Sequence, residues 1–174
     1  MRGDRMKLAA SVMIIFACTA VGIIKARGLT ELDSTYSSLL SALELLKNEI
    51  CTNMTPLCGA LELAGRSSDK PVKSFLGSVG AGLHSLGSST FSDIWSAAVK
   101  QELPMLPESC SSSLMSLGNS LGRYDADLQR LAIERCSAQI VAAQCSLREY
   151  ACANKRMYVG TGASTGLIVV ILML

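Results

Sequence analysis

The chain has 174 residues, of which 49% are apolar and only 17% charged, with a formal net charge of +2. This length fits about one domain, and the charged fraction lies below the roughly one quarter that is usual in soluble domains. Residues 26–156 contain 12 basic and 13 acidic residues without a basic stripe, which argues against a nucleic-acid-binding surface.

The apolar excess lies at the two ends of the chain. Residues 8–24 and 157–174 carry no charge, and Lys or Arg flanks each stretch. Both are near the lower length limit for a helix that crosses a bilayer. The sequence therefore predicts transmembrane helices over 6–25 and 157–174 around a central region over 26–156. Two buried core helices are the alternative, but a core helix normally keeps one polar face and neither stretch has one.

The first apolar stretch also has features of an export signal, because it follows a basic start. The letters IFAC, which end at Cys18, resemble a lipoprotein cleavage box. Phe16 is bulky for such a box, and the apolar run continues to Ile24. An exported or lipid-anchored helical protein is therefore the main alternative class.

The basic residues around the second stretch indicate its orientation. Arg148, Lys155 and Arg156 precede it, and no basic residue follows it. The positive-inside rule then places the central region in the cytoplasm. The basic residues before the first stretch favour the opposite orientation, but the asymmetry at the second stretch is cleaner.

Seven cysteines occur without CxxC spacing and with a single histidine, so the sequence offers no zinc-site pattern. Free thiols that pack as small hydrophobic side chains in a reducing compartment are favoured over disulfides. A second alternative class is a membrane-bound redox protein that uses Cys136, Cys145 and Cys152.

The central region has helical periodicity throughout, and the sequence predicts an all-α antiparallel bundle of about six helices. The first helix carries an apolar seam at alternating spacings of four and three: Leu32, Tyr36, Leu39, Leu43, Leu46 and Ile50. The second starts with Thr55 as N-cap and Pro56 at the first helical position, and it ends near Gly65. The third follows Asp69 and Pro71 and contains three glycines, so it must pack closely against its neighbours. Its apolar face comprises Val72, Phe75, Leu76, Val79, Leu83 and Leu86.

The last three helices have clear boundary signals. Thr90 is a candidate N-cap for the fourth, Pro107 opens the fifth, Gly122 ends the fifth, and Asp125 caps the sixth. The sixth has an apolar stripe and no break before the second predicted span, into which it can continue. This stripe comprises Leu128, Ala132, Cys136, Ile140, Ala143 and Leu147.

Residues that would indicate catalysis are missing from the sequence. It has no GxxxxGK[ST] phosphate loop, and its single histidine, His84, is expected at a surface or helix boundary. Asp125 and Asp127 fit first-turn acids better than a catalytic pair. We expect no enzyme activity, no cofactor and no metal.

The second predicted span contains a GxxxG pattern. Gly162 and Gly166 form it, and such small-residue rows allow membrane helices to approach closely. The partner helix would be the first span or another subunit.

Two elements resemble those of the stage III sporulation protein AB family of endospore-forming bacteria. Glu49-Ile50 followed by Thr55-Pro56-Leu57 resembles its EI…TPL element. Residues 117–129, with Gly118, Gly122, Asp125 and Gln129, resemble its FGxxLGxxDxxxQ element at matching spacing, with Leu117 in place of the aromatic residue.

The resemblance implies a membrane platform component of the secretion-like complex between mother cell and forespore. Its helical domain would be similar to the cytoplasmic domains of type II secretion and type IV pilus platform proteins. The implied location is the mother-cell membrane facing the forespore. The implied partners are the sporulation operon's cytoplasmic ATPase, other channel subunits and membrane lipid, and further copies of the chain are candidates as well.

Each family residue also has a backbone or capping explanation. Pro56 would start a helix, Gly118 would allow close packing, Gly122 would end a helix, and Asp125 would cap one. Glu49 would bond exposed amides at the start of the second helix. The functional alternative is that the turn over 122–127, with Arg123 and Asp125, docks a partner.

Overall fold

The computed structural model describes residues 28–84, 90–121 and 125–173, and for the part of the chain from 154 onwards it describes the backbone alone. These residues form six helices and no strand, which confirms the all-α prediction. The helices are α1 (residues 28–51), α2 (Leu57–Ser67), α3 (Val72–His84), α4 (Phe91–Glu102), α5 (Glu108–Ser120) and α6 (Ala126–Met173). Leu32–Glu149 form one compact unit, and the remaining residues belong to a second unit.

The predicted seam of α1 forms the centre of the core. Tyr36, Leu39, Leu43 and Leu46 are each only 1% exposed, and the residues at both ends of the seam pack against them from partly buried positions. Burial of each such side chain contributes roughly 1.5–3 kcal/mol.

The cap of α4 forms as predicted. Thr90 Oγ1 accepts a hydrogen bond from the Asp93 N–H at 3.3 Å, and the Asp93 carboxylate accepts one from the Thr90 N–H at 3.1 Å. This reciprocal capping box satisfies two backbone donors at once. The hydrogen bonds from Thr90 lower the pKa of the Asp93 carboxyl.

Helices α2 and α5 begin one residue later than the sequence predicted. Pro56 and Pro107 occupy the N-cap positions of α2 and α5, and neither supplies a side-chain cap. Thr55, the predicted N-cap of α2, instead donates its hydroxyl hydrogen to Glu49. Proline fits the position before a helix because the first N–H groups of a helix lack intrahelical partners in any case.

Close packing of α3 involves one of its three glycines. A Cβ on Gly82 would lie 2.4 Å from Ile94 Cγ2 of α4, whereas Gly77 and Gly80 have open space around them. The apolar face of α3 is buried as predicted through Val79; Leu86 lies outside the described residues. His84 is the last residue of α3 that the structure describes, and its helix-boundary position stays a prediction.

The buried face of α6 differs from the predicted stripe. Ile133, Cys136, Ile140 and Gln144 are buried, whereas Leu128 is 53% exposed. The prediction was based on apolar residues at helical spacing. The row of α6 that faces the core begins at Ile133, and it includes Gln144, whose amide is hydrogen-bonded to residues of α1.

The predicted membrane spans receive no support from the structure. The span over 6–25 lies outside the described residues. Among the residues that are described, no helix is long and apolar enough to cross a bilayer. Both spans stay predictions from the sequence.

Candidate functional site

The first sequence element of the family resemblance and the last residues of the second, from Asp125 onwards, lie at the same end of the bundle. Cys51 Sγ at the end of α1 donates to the carbonyl oxygen of Ala126 at the start of α6, at 3.4 Å. Lys47 Nζ lies 4.0 Å from Glu134 Oε1. We call this region, residues 47–57 together with residues 125–134, the motif end.

Glu49 organises the loop between α1 and α2. One carboxylate oxygen accepts from Asn53 Nδ2 at 3.0 Å, and the other accepts from Thr55 Oγ1 at 2.6 Å. The Thr55 N–H also donates to the Glu49 carbonyl at 2.8 Å. The Glu49 carboxylate therefore bonds two side chains. The sequence had predicted that it would bond the backbone amides at the start of α2.

Met54 lies between the two residues that Glu49 holds. Its φ angle is 53°, in the left-handed region, which costs a side-chain-bearing residue roughly 1–2 kcal/mol. Its side chain is 73% exposed, so core contacts do not compensate this cost. The loop therefore presents an apolar side chain to solvent in a strained conformation.

The start of α6 adds further exposed apolar surface to the motif end. Leu128 is 53% exposed and Leu131 is 41% exposed. Asp127, Arg130 and Glu134 lie on the same turns, and Arg130 Nε lies 3.6 Å from Glu134 Oε1. The motif end thus combines apolar side chains with charges of both signs.

Asp125 directly precedes α6, and Gln129 lies at the end of its first turn. The Asp125 carbonyl accepts from the Gln129 N–H at 3.0 Å, as expected of the residue that precedes a helix. Gly122 and Arg123 lie outside the described residues, so the turn predicted to dock a partner is described only from Asp125 onwards. Gly162 and Gly166 belong to the helix α6, but the side chains around them lie outside the described part.

Gly118 lies away from the motif end, in the core. A Cβ at this position would lie 2.4 Å from Trp95 Cδ1 and 2.7 Å from Trp95 Cγ. Trp95 is fully buried, and its Nε1 donates to the Leu114 carbonyl at 2.6 Å. Gly118 therefore allows close packing of α5 against Trp95, and close packing is the role that the sequence suggested for it.

Comparisons with known proteins agree on one family. The sequence model described as Stage III sporulation protein AB (spore_III_AB) matches residues 7–174. The chain belongs to the stage III sporulation protein AB family. It is 25% identical over 171 residues to stage III sporulation protein AB of Bacillus subtilis (strain 168), covering 97% of this chain and 99% of that protein.

A solved structure of a stage III sporulation protein AB (SpoIIIAB) has a similar fold. Its TM-score is 0.61 at 22% identity, and the match covers 68% of this chain and 94% of the solved chain. At this level of identity the likeness supports the fold, while the family membership stands on the sequence match.

A polar cluster that sequence reasoning missed joins the first turns of α1 to the middle of α6 in this family member. Arg148 Nε and Nη2 donate to the two carboxylate oxygens of Asp33 at 2.8 and 3.2 Å. Gln144 Nε2 donates to Asp33 Oδ1 at 3.0 Å and to Ser37 Oγ at 2.9 Å. We call Asp33, Ser37, Gln144 and Arg148 the α1–α6 clamp. The signal in the sequence was a glutamine at a core-facing position between Ile140 and Leu147.

The clamp changes the acidity of its carboxyl group. The hydrogen bond from Arg148 lowers the pKa of Asp33; burial acts in the opposite direction, and the hydrogen bond from Gln144 lowers it further. The ion pair is largely exposed, so its contribution to stability is of the size usual for surface pairs, roughly 0.2–1 kcal/mol. The clamp is therefore a positional link between two helices rather than a main source of stability.

The six described cysteines are free thiols, as the sequence predicted. Cys110 and Cys136 are buried, whereas Cys145 and Cys152 are exposed. Burial raises the pKa of the Cys136 thiol to about 12, and the thiolate is the nucleophilic form. A redox centre built from Cys136, Cys145 and Cys152 finds no support, because Cys136 lies on the buried face of α6 and Cys145 on the exposed one.

A groove of about 370 Å³ lies between α5 and α6. It contains Ser112, Ser113, Arg135 and Gln139. The Ser112 and Ser113 hydroxyls lie within hydrogen-bond distance of the Ser109 carbonyl, at 3.0 and 2.9 Å, and the Ser113 hydroxyl also contacts the amide oxygen of Gln139 on α6. None of these acceptors is a general base. Within the described residues, no group of three or more His, Cys, Asp or Glu side chains could hold a metal ion.

Proposed function

We propose that this chain is a non-enzymatic platform subunit of a sporulation complex between mother cell and forespore, and that its motif end docks the cytoplasmic ATPase of the same operon. Two transmembrane helices over 6–25 and 157–174 anchor it in the mother-cell membrane, with the helical bundle in the cytoplasm. Family membership supports the role in sporulation, and the proposed channel role, location and partners extend the resemblance set out from the sequence.

One observation carries the docking proposal. The two elements typical of the family are far apart in sequence, yet Cys51 and Ala126, which are 75 positions apart, bring them into contact. At about 1.5 Å per residue, the length of α1 between Leu32 and Cys51 places the motif end roughly 30 Å from the start of the bundle. The start of the bundle is the end that leads in sequence to the proposed first span.

The surface of the motif end fits a protein partner. Interfaces place apolar side chains at the centre and polar or charged residues at the rim. Met54 and Leu128 supply exposed apolar area at the motif end, and Asp127 and Arg130 supply charges at the same end. A subunit that docks an ATPase needs a firm contact with it at this surface. It does not need nucleotide chemistry of its own.

Copurification of full-length chain with the operon's ATPase in detergent tests this proposal. Arg123→Glu, in the segment over 122–127 that the sequence predicts as a docking turn, should lower ATPase capture at least tenfold. Arg66→Glu is the matched control, since Arg66 lies on α2, where it pairs with Glu62 of the same helix. Normal capture by Arg123→Glu together with normal capture by Asp125→Lys would remove the motif end as the docking site.

The proposed cytoplasmic location has a separate test, in which a thiol reagent modifies a cysteine that the structure shows to be exposed. Cys58 is exposed, whereas Cys110 is buried and would stay unlabelled on either side of the membrane. A membrane-impermeant thiol reagent should leave Cys58 unmodified in intact cells and modify it after lysis. Labelling of Cys58 in intact cells would support the exported alternative.

A further inference from the structure

Met54 differs from the other exposed apolar residues of the bundle in the conformation of its backbone. It is the most exposed of them at 73%, and it alone among the non-glycine residues that the structure describes has a positive φ, 53°. Glycine or asparagine would adopt this conformation at lower cost. The chain therefore keeps an apolar side chain at a position where it weakens the fold and contributes no buried core contact.

The loop holds Met54 firmly in this conformation. Glu49 binds the residues on both sides, Asn53 at 3.0 Å and Thr55 at 2.6 Å. The Asn53 N–H also donates to the Asn48 carbonyl at 3.1 Å. A strained residue persists when its surroundings fix it in this way, and such residues concentrate at binding sites. The side chain is thus preorganised, which lowers the entropic cost of binding.

We propose that Met54 is a preformed apolar knob that inserts into an apolar pocket of the ATPase that docks at the motif end. This inference rests on the proposed function and assigns one residue to the centre of that interface. Methionine suits the role because its unbranched thioether adapts to the shape of a pocket, and it is enriched at protein interfaces.

The charges of the motif end favour a protein pocket over a lipid surface. This end carries two basic side chains against four acidic ones, namely Lys47 and Arg130 against Glu49, Asp125, Asp127 and Glu134. A surface that binds anionic lipid headgroups needs a basic excess, and this end has none. Mixed charges around an apolar centre are the arrangement expected at the rim of a protein interface.

The test separates binding from folding by using substitutions that should improve the fold. Met54→Asn and Met54→Gly in the full-length chain in detergent should raise the melting temperature by about 3 °C, because the strain is relieved. The same variants should weaken binding of the purified ATPase about tenfold. Val141→Gln is the matched control, since Val141 is 45% exposed in the middle of α6, and it should bind normally.

Each alternative outcome overturns a defined part of the inference. A lower melting temperature for both Met54 variants would mean that Met54 serves the fold. Normal ATPase binding by these variants, with binding lost in Arg123→Glu, would refute the knob and leave the docking proposal intact. Failure of the unaltered chain to bind the ATPase would remove the docking proposal and the knob together. A change in the mass of the detergent-solubilised chain on Met54→Asn, by light scattering, would assign the knob to a contact between copies.

Discussion

Trp95 and Gly118 pack so closely that the indole ring occupies the space of a side chain at position 118. A Cβ there would lie within 3.0 Å of three Trp95 atoms. The ring is fixed from other sides as well, by the hydrogen bond to the Leu114 carbonyl and by an edge-on contact with Phe75 at 4.9 Å between ring centroids. The glycine of the second family element therefore allows α5 to lie directly against α4.

Gly118→Ala should destabilise the bundle by about 1–3 kcal/mol, the usual cost of overpacking a core. The added methyl group meets the Cδ1 and Cγ atoms of an indole that has no free space to move into. Trp95 is the only tryptophan of the chain, so its fluorescence reports both the local shift and unfolding in denaturant. An unchanged emission maximum together with an unchanged unfolding midpoint would contradict the packing role.

Gly77→Ala should have the opposite effect. Gly77 lies on α3, and a methyl group added to its Cα would meet no atom within 4 Å. Alanine stabilises an exposed helix position by up to about 1 kcal/mol relative to glycine. Thermal unfolding of the full-length chain, followed by circular dichroism, should show a small rise in the midpoint. A fall in the midpoint would mean that α3 contacts something at this face.

The fold could be predicted from the sequence wherever one strong local signal was present. The seam of α1 was correct because bulky apolar residues recur at helical spacing. Thr90 was correct as the N-cap of α4 because threonine is a preferred residue at that position, whereas the reciprocal bond to the Asp93 carboxylate is seen only in the structure. The stripe of α6 was partly wrong at Leu128, because periodicity alone does not reveal which turn first contacts the core. Burial of Gln144 depends on Asp33, 111 positions away, and no local pattern contains that information.

The role of the candidate site stays a prediction, and its geometry could not be predicted from the sequence. Glu49, Pro56 and Asp125 were identified, and the contact between the two elements through Cys51 and Ala126 could not be read from either one. In the loop after α1, Asn53 is the residue type that tolerates a left-handed conformation best. The structure assigns that conformation to Met54 because Glu49 holds the residues on both sides of it.

The α1–α6 clamp should make stability fall in acid. Because the pKa of Asp33 is lowered in the folded state, its contribution is complete above the unfolded pKa of about 3.9. It is lost as the pH falls through the folded pKa. Asp33→Asn should therefore flatten the acid limb of the stability profile below about pH 4 and cost less than about 1 kcal/mol at pH 7. Asp69→Asn, on the loop before α3, is the control.

Gln144→Glu should lower the free energy of unfolding more than Asp33→Asn does. Gln144 is 8% exposed, and the substitution would place a carboxylate beside that of Asp33 and remove the amide donor. The loss should exceed about 1 kcal/mol at pH 7, since a buried charge without a partner is costly. It should shrink as the pH falls below about 5, when the new carboxyl group takes up a proton. If the loss of unfolding free energy did not vary with pH, its cause would be the packing of the new side chain and not its charge.

The cysteines should differ sharply in reactivity, in the order set by burial. Cys58 and Cys145 are exposed and should react with N-ethylmaleimide within minutes at pH 8. Burial raises the pKa of Cys136 to about 12, so its thiolate fraction at pH 8 is roughly 10³-fold below that of an ordinary thiol. Its modification therefore requires opening of the contact between α5 and α6. Peptide mass spectrometry of partly labelled protein resolves the individual sites. Rapid labelling of Cys136 in the folded chain would mean that α6 separates from the core under native conditions, and that the thiol is open to oxidation.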